Sequence, residues 1–154
     1  MPEQTRLEVD VGKAVRAPVA PSFVRGVLQQ AVRLRELEAR LPAGTWVLAV
    51  RLTSDRQLRR LNRMYAGDDS VTDVLSFAGS GQHIGDLAIS WPAVVRQAHQ
   101  FGGQESAELA LLCVHGLLHL LGWDHQSPRE RREMSRLTRA ALKRSKLAVV
   151  PGRL

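Results

Sequence analysis

The stretch Glu105–Leu121, ESAELALLCVHGLLHLL, decides the fold. Wound as a helix it is apolar on most sides, which predicts a central helix buried by the rest of the molecule. Its most apolar part, Leu109 to Leu121, falls short of the roughly 20 residues that a bilayer span needs and carries two histidines, which argues against a membrane helix.

The flanking segments alternate between the helical and the extended period. Immediately upstream, Ser90 with Pro92 opens a helix through Val94, Val95 and Ala98 that stops near Gly102 and Gly103. Before it, VLSF and IGDLAIS read as two strands joined as a hairpin through the link GSGQ, with the turn-prone GDDSVTD ahead of them. TWVLAVRL, Thr45 to Leu52, is rich in β-favouring side chains. Ser54 then offers an N-cap for a helix carrying Leu58, Leu61 and Tyr65 on one face, with Gly67 as its C′ residue. Arg6 to Val11 alternates like a strand with one buried face. Phe23, Val27, Ala31, Leu34 and Leu37 repeat at helical spacing over a helix from about Ser22 to Arg40, stopped by Pro42 and Gly44. Downstream, Ser127, Pro128 and Glu130 form a capping-box pattern opening a last helix to about Lys146, with Met134, Leu137 and Ala141 inward. Residues 147–154 remain a tail without assignment. Together these segments predict an α+β fold: a small mixed sheet of about four strands packed with about five helices, in one domain over residues 1–154.

A chain of 154 residues with 44% hydrophobic content can bury a real core. Its 22 Lys and Arg against 15 Asp and Glu, a formal +7, favour polyanionic partners such as RNA. The one cysteine, Cys113, cannot form an internal disulfide, and MPEQTRLEVD lacks a charged-then-apolar signal pattern, so a cytoplasmic location is expected.

His115 and His119 stand four residues apart on the central helix, so both imidazoles project from one face and can share a metal. His125 would fall off that face if the helix continued. Gly122 lets the helix end first, in the left-handed conformation, and brings His125 back to the same ion. The run HGLLHLLGWDH thus has the spacing of the HExxHxxGxxH metalloproteases, except that Gly116 stands where their general-base glutamate would be. Three neutral imidazoles leave an open coordination position, and the ion can lower its bound water's pKa to about 7, which makes that water the nucleophile. No side-chain base is assigned. Zinc suits the set, and so does nickel or another divalent transition metal. A closed structural site would need a fourth ligand, but Cys113 points elsewhere on the helix and reads as core. Asp73, Asp86 and Asp124 are candidates to orient the ligand rings.

HGLLHLLGWDH, together with LNRMYAGDDSVTDVLSF and IGDLAIS, resembles the YbeY family of bacterial ribosomal-RNA maturation endoribonucleases, over roughly Leu58 to His125. The resemblance implies an α+β fold, one zinc-like ion on three histidines, and cleavage of single-stranded RNA in ribosomal-RNA processing and ribosome quality control. Its partners would be ribosomal RNA precursors and the ribosome. The chain departs from the family at Ala66, where the family carries a functionally important arginine after the tyrosine of LNxxY. Arg56, Arg59, Arg60 and Arg63 form a basic stripe on the same helix, and Arg63, one turn before Ala66, is expected with Arg59 to meet the substrate phosphate. Two other readings stay open: a non-catalytic, metal-stabilised RNA- or ribosome-binding factor, which Ala66 favours, and a zinc protease-like hydrolase, which Gly116 and the basic surface disfavour. Arg129, Arg131, Arg132, Arg136, Arg139, Lys143, Arg144 and Lys146 crowd the last helix, either as a soluble face or as an RNA or ribosome contact.

Overall fold

The computed structural model describes residues 4–66 and 72–154. The chain runs β1 (Thr5–Lys13), α1 (Pro21–Ala31), α2 (Arg35–Glu38), β2 (Gly44–Thr53), α3 (Asp55–Ala66), β3 (Val74–Ala78), β4 (His83–Ser90), α4 (Trp91–Phe101), α5 (Glu105–Leu120) and α6 (Pro128–Lys143). The sheet order is β1-β2-β4-β3, with β1, β2 and β4 parallel and β3 antiparallel at the edge, so the α+β expectation of a four-stranded mixed sheet holds.

Side-chain alternation gives this sheet two different faces. Leu7 and Val9 of β1, Leu48, Val50 and Leu52 of β2, and Leu87 and Ile89 of β4 are buried on one face. Each fully buried leucine there contributes about 2 kcal/mol by leaving water. On the other face, Asp10, Arg51, Asp86 and Ala88 share a groove with Leu61 of α3. The helix α5 packs on the apolar face, its residues from Glu108 to Leu118 buried except for partly exposed His115.

A glycine sets how close that packing is. A Cβ on Gly116 would stand 2.7 Å from Leu87 Cδ2 and 3.3 Å from Ser76 Oγ, so only glycine lets α5 lie this near β3 and β4. Ser76 Oγ donates to the Gly116 carbonyl at 3.3 Å across the same contact. Two features of the opposite chain segments fasten the far end of α5. Arg153 donates from Nε to Glu108 Oε1 at 2.7 Å, and Leu147 and Val149 pack on the core, so the terminal residues without a periodic pattern are docked.

Three expectations need correction. The helix expected over Ser22–Arg40 breaks after Ala31, where Leu34 is extended (ψ 131), and resumes as the short α2. In a continuous helix Leu37 would point roughly 130° away from the face of Val24, Val27, Leu28 and Ala31. The break turns Leu37 inward, and it is fully buried. On α3, Leu58 is buried and Tyr65 is 68% exposed, with buried Asn62 taking the inward position, so Tyr65 does not share the apolar face. It meets Phe77 edge-on instead, ring centroids 5.5 Å apart. The last helix ends at Lys143 rather than Lys146, because Lys146 adopts a left-handed φ of 59° and Leu147 N–H closes onto the Leu142 carbonyl at 3.0 Å. Gly67, expected as the C′ residue of α3, lies with the rest of Gly67–Val71 outside the described residues.

Candidate metal centre

The centre begins with a helix stop. After α5, Gly122 takes φ 101°, its N–H bonds to the His119 carbonyl at 3.0 Å, and Trp123 N–H reaches the Leu118 carbonyl at 3.0 Å. These are the two bonds of a Schellman turn, which only a residue at ease with positive φ can close cheaply. The turn reverses the chain, and Asp124 Oδ1 then accepts from the His125 N–H at 2.7 Å, fixing the next residue.

His115, His119 and His125 converge as a result. Their ring centroids are 4.7, 5.5 and 4.8 Å apart in pairs, and one ligand nitrogen from each lies within 4.8 Å of the others. Among the described residues no other group of three potential ligands comes together this way. The rings sit in an open cleft of about 500 Å³ whose wall is β3, with Thr72, Asp73, Val74 and Ser76 among the lining residues.

The electrostatics keep His115 and His119 neutral. Burial pushes His115 down to about 4, with the neighbouring His119 and His125 lowering it further and Asp73 raising it. His119 is also lowered, chiefly by burial and then by His125, against Asp124 and a hydrogen bond to the Trp123 backbone. Neutral imidazoles are the forms that coordinate a metal, and their number and softness fit a transition metal better than calcium or magnesium. Cys113 is fully buried, with its thiol pushed up to about 12, and stays in the core as its place on the helix indicated.

Of the expected orienting carboxylates, two are near the rings and one is not. Asp73 lines the cleft and accepts from Gln97 Nε2 at 3.0 Å. Asp124 holds the His125 backbone. Asp86 points to the opposite face of the sheet, paired with His83 Nε2 at 3.1 Å, because β4 presents Gly85 and Leu87 to α5 and its alternate residues away from it. Arg59 and Arg63 are exposed on α3 and do not line the histidine cleft. Gly116 faces Leu87 and Ser76, not the cleft, so a glutamate at that position would have no room.

Sequence reasoning missed Arg40, Gln97 and Arg153. Arg40 caps the reversal that carries His125, Gln97 holds Asp73, and Arg153 Nη2 donates to Gln97 Oε1 at 3.3 Å. Each acts across a long sequence separation, and no local pattern marks it.

The family model for Endoribonuclease YbeY matches residues 13–146. The chain belongs to the YbeY family. An Endoribonuclease YbeY of Gloeobacter violaceus is 40% identical over 141 residues, covering 84% of this chain and 70% of its own. The Endoribonuclease YbeY of Roseiflexus castenholzii is 38% identical over 131 residues, 78% of this chain and 79% of its own. The solution structure of a Thermotoga maritima protein shares the fold, with a TM-score of 0.58 at 19% identity over 96% of this chain and 100% of that one. Among the described residues no helix is long and apolar enough to cross a membrane.

Proposed function

We propose that this member of the YbeY family is a metal-dependent endoribonuclease, a hydrolase of RNA phosphodiester bonds. Its substrates would be single-stranded regions of ribosomal RNA precursors, cut in the cytoplasm during ribosome maturation and quality control by residues 1–154 acting as one domain. The observation that carries the reading is the meeting of three ligand nitrogens within 4.8 Å in an open cleft, in a chain whose relatives are named Endoribonuclease YbeY.

His115, His119 and His125 would hold one zinc ion, or nickel or a similar divalent metal. Such a cation, when bound, activates water and offsets charge growing on the phosphate oxygens. The chain's own residues prepare for it. Burial keeps His115 and His119 uncharged at neutral pH, so their lone pairs are available without loss of a proton. Asp73 offers an acceptor in the cleft wall at a position fixed by Gln97. The basic stripe of α3, with Arg59 and Arg63, would attract the strand's phosphates toward the site.

The test is to purify the protein, measure its bound metal and incubate ribosomal-RNA fragments with wild type and His119→Ala. Wild type is expected to carry one ion and cut; the variant is expected to lose both. RNA that is bound after chelation yet never cut with any divalent metal would replace this reading by the non-catalytic binding factor.

A further inference from the structure

The helix α6 carries a groove lined by Pro128, Arg131, Arg132, Ser135, Arg139 and Leu154. These helix positions follow one face for roughly 16 Å at 1.5 Å per residue. One end of the groove touches the backbone of the loop after α5: Arg131 Nη1 donates to the Gln126 carbonyl at 3.2 Å and to the His125 carbonyl at 3.5 Å. Its start is therefore the loop that presents the third histidine.

Two cations of α6 and its C-cap turn away from this groove. Arg136 turns to Glu36 of α2 at 2.9 Å, and Arg144 donates from Nε to the Gln30 carbonyl of α1 at 3.0 Å, so these two serve helix packing. The helix's acids are engaged as well. Glu130 closes the capping box with the Ser127 N–H at 3.0 Å, and Glu133 leans toward Arg136. Arg131 meets only backbone carbonyls, which leave its guanidinium's charge unbalanced, Arg139 reaches an oxygen of the last residue, Leu154, at 3.5 Å, and Arg132 is exposed.

We propose that this groove binds the phosphodiester backbone of a single RNA strand running from the histidine cleft along α6. The proposal rests on the RNA-cleaving reading above and adds where the strand lies. A row of guanidiniums with a hydroxyl between them suits phosphates and reads no sequence, so binding there is insensitive to base identity. It also separates long substrates from short ones, since only a strand that extends beyond the cleft reaches Arg139.

The test uses the full chain with its metal chelated and two fluorescently labelled RNAs, a 16-mer and a trinucleotide, titrated across salt concentrations. Arg132→Gln/Arg139→Gln is expected to bind the 16-mer roughly ten-fold more weakly at low salt and to flatten the logarithmic salt dependence by about 1.4, two contacts at about 0.7 each. Trinucleotide binding is expected to stay unchanged. Arg16→Gln/Arg33→Gln removes the same charge from exposed positions outside the groove and is expected to match wild type. Ser135→Glu keeps every arginine and is expected to weaken the 16-mer alone. Equal salt slopes for wild type and the groove variant, or an equal loss in the Arg16/Arg33 control, overturn the proposal. A wild type that cuts RNA while the groove variant binds normally removes this inference alone. A wild type that never cuts RNA but shows the arginine-dependent slope removes the nuclease reading and leaves the groove.

Discussion

The Arg40 guanidinium lies 3.5 Å over the centre of the Trp123 ring while its Nη1 donates to the Leu121 carbonyl at 2.9 Å. Arg40 thus grips both sides of Gly122, whose left-handed turn brings His125 to its partners. Stacking of this kind contributes about 1 kcal/mol, and the hydrogen bond to an otherwise open helix-end carbonyl adds to it. Arg40→Ala is expected to weaken zinc binding about ten-fold, as loss of groups that orient ligands does, and to lower the melting temperature modestly. Competition with a chromophoric chelator reads the first effect. Arg40→Lys should recover little, because an ammonium cannot stack as a plane over indole; full recovery by lysine would mean that charge alone matters.

Gly116 makes a sharper prediction. Its α-carbon faces Leu87 at a separation too small for a methyl group, so Gly116→Ala is expected to destabilise by about 1–3 kcal/mol despite alanine's better helix propensity. Pairing it with Leu87→Ala should return part of that loss, and urea unfolding of the single and double variants measures both. The same contact means that Gly116→Glu gains no casein hydrolysis.

Lys146 closes the end of α6 at φ 59°, a conformation that costs a side-chain-bearing residue roughly 1 kcal/mol. Lys146→Gly is therefore expected to raise stability by somewhat under that amount, since glycine also adds freedom to the unfolded chain. A melting temperature at or below wild type would show that the lysine's own contacts outweigh its backbone.

The histidine cluster ties the stability of the metal-free protein to pH. His115 is about 4 in the fold against an ordinary 6.5, so between these values the unfolded chain takes up a proton that the folded chain refuses. The stability that neutral His115 contributes is complete above pH 6.5 and is lost as pH falls toward 4; His119 shifts in the same direction. The unfolding free energy from urea titrations in chelator should drop on the order of a few kcal/mol over this window. His115→Gln should flatten the decline.

Much of this architecture was legible because its causes are local. Ser54, Ser90 and Ser127 each cap a helix through a hydroxyl that accepts an N–H three residues on, and the capping box at Ser127 and Glu130 is closed as its spacing indicated. The histidines were readable for the same reason, since one helix and one glycine turn bring them together. What escaped was decided at a distance. The break at Leu34 has no proline or glycine and exists because Leu37 must reach a core built by other elements. Tyr65 is apolar by pattern yet exposed, since Asn62 takes the inward position. Arg40 meets a turn 81 residues away, and Arg153 meets Glu108 across 45. Sheet order was equally hidden, because parallel pairing leaves no turn signal between partners.

The contiguity of the three histidines has a consequence for how the protein is made. An ion's cage that spans eleven consecutive residues closes only a short loop, so its entropy cost is small even before the sheet has assembled. A cation captured there would pin the end of α5 early, and the strands would then gather against a helix whose terminus is already in place. If an ion is held there, metal supply during synthesis would govern the yield of folded protein.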